Sequence, residues 1–205
     1  MKPVLLLVHG WGFDASFWSP LRDCLAEVET VAWDLGFLGP AAFPPPPAGR
    51  PVIAVGHSFG LLWLLRRRPL AWQRLVSING FARFTSSPDF PDGVAPRLLE
   101  RMIMRFAKDP AQVFADFMGR CGAAAALPST CDHAALHAGL EALAGWDGRP
   151  APVDVALAGR SDPIAPPTLT QASFAGTAVE WHPGGHLLPQ RDPVWCAARL
   201  RNLLG

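Results

Sequence analysis

The chain has 205 residues, of which 50% are hydrophobic and 17% charged, with 22 prolines, 19 glycines and no tyrosine. This composition excludes a disordered chain, and the length fits one domain or one domain with an insertion. The 18 basic and 17 acidic residues give a net charge of +1, which excludes a global attraction to nucleic acid or to an anionic membrane but allows a local basic patch. We therefore expect a globular protein with neither nucleic acid nor membrane among its partners.

The N-terminal segment is typical of a buried strand rather than of a targeting signal. Its apolar run, Val4 to Val8, is short, whereas a secretory signal needs roughly 7–15 apolar residues and a membrane span about 20. The cysteines, at positions 24, 121, 131 and 196, include no CxxC pair. They are predicted to be reduced thiols, and we expect a cytoplasmic location.

Two parts of the chain alternate between strand and helix patterns. The predicted strands are residues 4–8, 30–33, 51–55, 75–78, 153–158 and 178–181. The predicted helices of these parts are residues 17–27, with Ser16 as N-cap, 58–68 and 194–204. The alternation predicts an α/β fold with a mainly parallel sheet of about six strands flanked by helices. Residues 36–50 hold too many prolines and glycines for a regular helix and are predicted as a loop.

Residues 82–149 interrupt this alternation with consecutive helical patterns. The predicted helices of this segment are residues 94–108, 111–119 and 134–143. We therefore predict a core made of residues 1–81 and 150–205, and a helical insertion made of residues 82–149.

The segment Gly56-His57-Ser58-Phe59-Gly60 lies between a predicted strand and a predicted helix. This is the G-x-S-x-G pattern in the strand–turn–helix context of a nucleophile elbow. A turn this sharp leaves no space for side chains two residues to either side of the serine, which explains the two glycines. The turn presents the Ser58 hydroxyl above the sheet, at the positive end of the helix dipole. Ser58 is the predicted nucleophile, and an ordinary structural turn is the alternative.

A nucleophilic serine requires a base, and the base requires an orienting acid. Asp162 follows one predicted strand and His186 follows the next. Both are therefore expected at the carboxyl edge of the sheet, where Ser58 lies and where ligands bind in open α/β sheets. The sequence predicts a triad of Ser58, His186 and Asp162.

Other histidines and acids compete less well for these roles. The other candidate bases are His57, His182, His133 and His137, and the other candidate acids are Asp154 and Asp192. We predict that the His57 side chain points away from the site because it precedes the nucleophile in the elbow. Asp154 lies at the wrong end of its strand.

A metal site is a weaker alternative in the insertion. Cys131, His133 and His137 have a spacing that metal ligands use. No second ligand cluster accompanies them, however, and structural zinc usually takes four ligands. We therefore predict no metal, and no organic cofactor either, because a serine triad supplies its own chemistry.

The segment His9-Gly10-Trp11-Gly12 ends the first predicted strand with two glycines around Trp11. A backbone N–H at this position can face the negative oxygen that develops during acyl transfer, together with the N–H of the residue after the nucleophile. The predicted oxyanion hole consists of the backbone N–H groups of Trp11 and Phe59, and the Trp11 side chain is expected to wall the acyl pocket. An ordinary strand-ending turn is the alternative.

The segments LLLVHGWG, GHSFG, GRSDPIAPP and PGGHLLPQRDP resemble the α/β-hydrolase superfamily over essentially the whole chain. Within it, HGWG with FDASFW and VAWDLGFLG is similar to the pimeloyl-[acyl-carrier protein] methyl ester esterases of biotin synthesis. Ile78-Asn79-Gly80 is similar to a motif of a shorter, divergent esterase type of that pathway. The chain departs from its relatives at Asp34-Leu35-Gly36, which lacks their usual proline, and we expect its first strand, residues 4–8, to correspond to their third, without their leading hairpin.

The resemblance implies that residues 82–149 are a cap that closes the pocket and sets substrate choice. The candidate pocket residues are Trp11, Phe81, Phe84, Phe114 and Phe117. Arg97, Arg101, Arg105 and Lys108 repeat at helical spacing and form a basic ridge. Because carrier proteins are acidic, this ridge is a candidate docking surface for acyl-carrier protein, with an ordinary solvated helix face as the alternative.

The leading hypothesis is a serine carboxylesterase that hydrolyses the methyl ester of pimeloyl-[acyl-carrier protein] through an acyl-enzyme. The first alternative is a general short-acyl carboxylesterase, lactonase or thioesterase that acts on small molecules. The second is a non-catalytic ligand-binding protein on the same fold, which the complete triad disfavours.

Overall fold

The computed structural model describes residues 2–204. Its six strands are β1 (Val4–Val8), β2 (Thr30–Trp33), β3 (Val52–His57), β4 (Arg74–Ile78), β5 (Val155–Gly159) and β6 (Val179–His182). They form one sheet in the order β2-β1-β3-β4-β5-β6, and every neighbouring pair is parallel. The predicted six-stranded parallel sheet is therefore confirmed.

Eight α-helices and one 3-10 helix are assigned within the described residues 2–204. They are the 3-10 helix Ala15–Trp18, α1 (Ser19–Cys24), α2 (Phe59–Arg67), α3 (Pro96–Phe106), α4 (Pro110–Cys121), α5 (His133–Gly145), α6 (Pro167–Ser173), α7 (Leu188–Arg191) and α8 (Pro193–Arg201). None of the helices in this range has the length and apolar character needed to cross a membrane.

The predicted helix over residues 17–27 is wrong in both extent and cap. The segment folds into the 3-10 helix and the short helix α1, which ends at Cys24. Asp14, not Ser16, is the N-cap, because its carboxylate accepts the backbone N–H of Ser16 at 2.8 Å. Helices α6 and α7 were not predicted. Both have a proline in the first turn, where proline is favoured because the missing N–H would have no partner in the helix.

The central strands are buried because helices cover both faces of the sheet. All five residues of β1 are buried, and alternate side chains enter two separate hydrophobic clusters. Leu5 and Leu7 pack on one face with Leu21 of α1 and Leu200 of α8, while Leu6 and Val8 pack on the other face with α2. A strand that is covered on both faces reads as a continuous apolar run, which explains the pattern of β1.

Helices α3, α4 and α5 lie between β4 and β5 in the chain, and α3 packs against both of the others. Their bounds lie close to those of the predicted helices. Pro96 is the first residue of α3, and the side chains of Asp109 and Asp132 cap the N-termini of α4 and α5. Their inner side chains, including Leu99, join the hydrophobic cluster of the core. These helices consequently lie over the carboxyl edge of the sheet, where β3 and β5 end.

Candidate active site

Ser58 occupies a strained turn between β3 and α2. Its backbone φ is +52°, in a region that residues with a Cβ rarely adopt. A Cβ at Gly60 would lie 2.3 Å from the carbonyl oxygen of Val8, and one at Gly56 would lie 2.4 Å from the Cα of Leu61. Only glycine therefore fits at either position, as the elbow pattern predicts.

The structure places His186 between Ser58 and Asp162. The Ser58 Oγ lies 3.0 Å from His186 Nε2, and Asp162 Oδ2 lies 2.8 Å from His186 Nδ1. Because a carboxylate only accepts hydrogen bonds, Nδ1 carries the proton and Nε2 accepts the Ser58 hydroxyl. All three residues are at most 4% exposed. These hydrogen bonds select the His186 tautomer that carries its proton on Nδ1. A general base for Ser58 requires this tautomer.

The carboxylate of Asp162 is held from several directions. Its Oδ1 accepts the backbone N–H groups of Ile164 at 2.8 Å and Ala165 at 2.9 Å, in the loop that follows β5. Its Oδ2 accepts the side-chain amide of Asn79 at 2.6 Å in addition to His186. The sequence shows Asn79 only as part of the Ile78-Asn79-Gly80 motif and indicates no role for it.

Of the two predicted oxyanion donors, Phe59 directly follows Ser58 in the chain, and Trp11 lines the same pocket as Ser58. Phe59 is the first residue of α2, so no carbonyl of its own helix can accept its N–H. The N–H of Trp11 likewise has no acceptor among residues 2–204. The Trp11 side chain is held in place by its indole N–H, which donates to the Leu136 carbonyl of α5 at 2.8 Å.

A mostly apolar pocket opens directly above Ser58. Its cavity volume is about 60 Å³, below the range of about 300–1,000 Å³ that is usual for small-molecule sites, so the pocket is narrow. Its lining comprises Trp11, Ser58, Phe81, Phe84, Val94, Leu98, Leu99, Met102, Phe117, Arg120, Leu140, Leu143 and Ile164. Four of the five predicted pocket residues are among them. Phe114 is not, because it is buried behind Trp11, with the ring centroids 6.4 Å apart.

A second groove continues from this pocket to the surface. Leu98, Met102, Phe117 and Arg120 line both, and the groove adds Arg101, Arg105, Val113 and Asp116. We call this feature the basic groove. The predicted docking ridge does not include Arg120. The ridge was defined by the spacing of cations along residues 97–108, whereas Arg120 belongs to α4.

The four predicted ridge cations are all exposed on or just after α3. Only Arg101 and Arg105 line the basic groove, whereas Arg97 and Lys108 do not. Arg105 donates to the carboxylate of Asp116 at 2.9 Å, so part of its charge is neutralised within the groove.

The expectation that His57 points away from the site is wrong. Its Nε2 lies 2.9 Å from the carbonyl oxygen of His186, and the two imidazole centroids are 4.8 Å apart. His57 is therefore packed behind His186, although it does not contact Ser58 Oγ.

The other competing residues lie elsewhere. His182 pairs with Asp192 at 3.0 Å, and Asp154 accepts the backbone N–H of Leu75 near the amino ends of the strands. Across residues 2–204, no three histidine, cysteine, aspartate or glutamate side chains come together as a possible metal site. Cys131, His133 and His137 accordingly form no such group.

No protein-family model matches the chain. A pimeloyl-[acyl-carrier protein] methyl ester esterase of Aromatoleum aromaticum is 32% identical, and the match covers 75% of each chain. The chain belongs to the pimeloyl-[acyl-carrier protein] methyl ester esterase family. A biotin biosynthesis bifunctional protein of Cellvibrio japonicus is also 32% identical over 58% of this chain, which spans only 27% of that longer protein.

Solved structures agree with this family assignment at the level of the fold. An esterase of Exiguobacterium antarcticum has a TM-score of 0.78 at 16% identity, with 100% of this chain and 92% of that chain covered. BioG of Haemophilus influenzae has a TM-score of 0.62 at 18% identity, with 95% and 94% covered. The chain has the α/β-hydrolase fold, and with its esterase relatives it is a carboxylic ester hydrolase.

Proposed function

We propose that the chain hydrolyses the methyl ester of pimeloyl-[acyl-carrier protein] in biotin synthesis. One observation carries the proposal: the hydrogen-bonded line from Asp162 through His186 to Ser58 ends in an apolar pocket that continues into a basic groove. An uncharged ester on an aliphatic chain matches the pocket, and an acidic carrier protein matches the groove. The names of the curated relatives support this substrate.

The proposed reaction begins with acylation of Ser58. The Ser58 Oγ attacks the ester carbonyl while His186 Nε2 takes the hydroxyl proton, and the carbonyl oxygen becomes an oxyanion that the N–H groups of Trp11 and Phe59 stabilise. Collapse of the tetrahedral intermediate breaks the bond to the methoxy oxygen. His186 returns its proton to that oxygen, and methanol leaves.

Deacylation repeats these steps with water. His186 removes a proton from a water molecule as its oxygen attacks the acyl-enzyme carbonyl, and the proton then passes to Ser58 Oγ as the acyl–oxygen bond breaks. The products are free Ser58 and a carrier-bound chain with a terminal carboxylate. Asp162 keeps His186 in the required tautomer and stabilises the imidazolium that forms in both steps.

We further propose that residues 82–149 act as the cap of this site. Leu98, Leu99 and Met102 of α3 and Leu140 and Leu143 of α5 line the pocket opposite the sheet. The acyl chain then runs between these helices and the core, and the carrier protein docks outside at the basic groove. The ester end reaches Ser58 while the thioester end stays near the surface.

Replacement of the nucleophile tests the reaction. We expect Ser58→Ala to lower kcat on p-nitrophenyl acetate by about 10⁶-fold, the size of effect seen when a triad serine is removed. The wild-type gene should restore growth to a biotin-requiring strain that lacks its esterase, and the Ser58→Ala gene should not. Full growth with Ser58→Ala would indicate a non-catalytic ligand-binding role, and active esterase without growth would indicate an esterase, lactonase or thioesterase for other substrates.

Charge reversal tests the docking surface. Because Arg101 lines the groove but not the pocket, Arg101→Glu should lower kcat/KM on carrier-bound pimeloyl methyl ester about tenfold more than on free dimethyl pimelate, a difference of about 1.4 kcal/mol. Arg74→Glu is the matched control, because Arg74 is exposed at the opposite end of β4. Equal losses on both substrates would contradict carrier docking at this groove.

A further inference from the structure

Asn79 lies at the carboxyl end of β4, between the strand that leads to Ser58 and the strand that leads to Asp162. It is 1% exposed, and its backbone N–H donates to the Leu157 carbonyl of β5 at 2.8 Å. Its φ is +50°, in the left-handed region that asparagine tolerates better than most residues. The side chain is therefore held at a fixed place on the edge of the sheet.

The side-chain amide of Asn79 links the two loops that carry the acid and the base. Its Nδ2 lies 2.6 Å from Asp162 Oδ2 and 3.3 Å from the carbonyl oxygen of Gly185, the residue before His186. Both partners can only accept hydrogen bonds, so their positions require the NH₂ group, and not the amide oxygen, on this side. The amide donates to the same carboxylate oxygen that accepts His186 Nδ1.

We propose that Asn79 is a positioning residue for the Asp162–His186 pair. Its amide fixes the orientation of the Asp162 carboxylate and, through the Gly185 carbonyl, the position of the histidine loop. By donating a hydrogen bond to Asp162 Oδ2 it also spreads the negative charge of that oxygen and so moderates the attraction of the carboxylate for the imidazolium. Asn79 is not among the residues that line the pocket.

The inference rests on the proposed roles of Ser58, Asp162 and His186. Its test uses Asn79→Gly, because glycine accepts the positive φ without strain while the amide is lost. Asn79→Ala removes the same amide but retains backbone strain, so the two variants together separate the role of the amide from that of the backbone. Thr85→Val is the matched control. It removes another buried hydrogen bond, from Thr85 Oγ1 to the Ala144 carbonyl, outside the triad and the pocket.

We expect Asn79→Gly to lower kcat on p-nitrophenyl acetate about 10- to 100-fold, as small misplacements of catalytic groups do, with little change in KM. The acidic limb of its kcat/KM profile should move to higher pH, because the unshared carboxylate holds the imidazolium proton more strongly. Thr85→Val should leave both the profile and kcat in place. A folded Asn79→Gly enzyme with wild-type kcat and pH profile would overturn the inference, as would a loss confined to KM.

Failure of the proposed role of Asn79 can be distinguished from failure of the proposed function. If Ser58→Ala retains esterase activity, the proposed triad is wrong. If Ser58→Ala is inactive but Asn79→Gly behaves as wild type, the triad stands and only the positioning role of Asn79 is wrong. The p-nitrophenyl ester makes this result independent of whether the natural substrate is carried by a protein.

Discussion

His57 is enclosed behind the nucleophile by aromatic side chains and by the histidine loop. Its ring stacks on Phe17 with centroids 4.4 Å apart, and its Nε2 donates to the His186 carbonyl at 2.9 Å. Burial lowers its pKa well below the usual 6.5, and the titratable rings of His186 and His9 lower the pKa further. A protonated His57 would place a second charge beside the imidazolium that catalysis requires.

Because the pKa of His57 is lowered, we expect the unfolding free energy to depend on pH. In the unfolded chain His57 takes up a proton below pH 6.5, while the folded ring stays neutral, so the unfolding free energy falls by up to about 1.4 kcal/mol per pH unit below 6.5 and is unaffected above it. His57→Gln keeps an N–H donor but does not titrate, and should flatten this slope. Urea unfolding between pH 5 and pH 8 measures the effect.

The exposed His133 supplies the control for that measurement. His133→Gln makes the same substitution at an exposed position outside the triad and the pocket, and so reports any effect of the substitution itself. Parallel curves for wild type and His57→Gln would show that His57 titrates similarly in both states.

At the scale of elements, α3 has two faces with different roles. Leu98, Leu99 and Met102 line the pocket, while Arg97 and Met104 face away from it and are exposed. The amphipathic pattern of the sequence predicted this division. It did not predict which neighbouring side chains close the pocket, because those come from α4, α5 and the loop after β5.

The pocket face of α3 is expected to set acyl-chain length. Met102→Trp should fill space near Ser58 and lower kcat/KM on p-nitrophenyl octanoate about tenfold relative to the acetate, since overpacking costs about 1–3 kcal/mol. Met104→Trp is the control on the same helix, because Met104 is 60% exposed and lies outside the pocket. Equal losses on both esters with Met102→Trp would mean that α3 does not limit chain length.

At the scale of the whole molecule, one ion-pair network joins the two segments that connect α3–α5 to the sheet. Asp147 lies 2.9 Å from Arg83 in the outgoing segment and 2.7 Å from Arg149 in the returning one, and Arg149 also pairs with Asp89. Hydrogen bonds from Arg149, followed by one from Arg83, lower the pKa of Asp147 well below its usual range. The network is partly buried, so it is screened less than an exposed pair.

Removal of this carboxylate should loosen the attachment of α3–α5 to the sheet. We expect Asp147→Asn to cost about 1–2 kcal/mol and hence to lower Tm by about 2–4 °C for each kcal/mol, with a smaller effect in 1 M NaCl. Asp116→Asn removes the exposed partner of Arg105 and should leave stability almost unchanged, because exposed ion pairs contribute little. Differential scanning calorimetry at two salt concentrations decides between a stabilising network and a set of independent surface pairs.

Features that depend on short-range pattern can be predicted from the amino-acid sequence alone. Continuous apolar runs such as Val4–Val8 indicated strands covered on both faces, and alternation of strands with helices indicated the parallel sheet. The elbow at Ser58, with Asp162 and His186 after later strands, indicated the site because parallel strands bring their carboxyl ends to one edge. Spacing along the chain contains all of this information.

Contacts between side chains that are distant in the sequence become visible only in the folded chain. The Asn79–Asp162 and His57–His186 contacts join residues 83 and 129 positions apart, and Arg120 enters the pocket from a helix other than the predicted ridge. Phe114, expected in the pocket, packs behind Trp11 instead. Such contacts depend on strand register, loop conformation and the packing angle between helices, and these are set by the close packing of the whole core rather than by local periodicity.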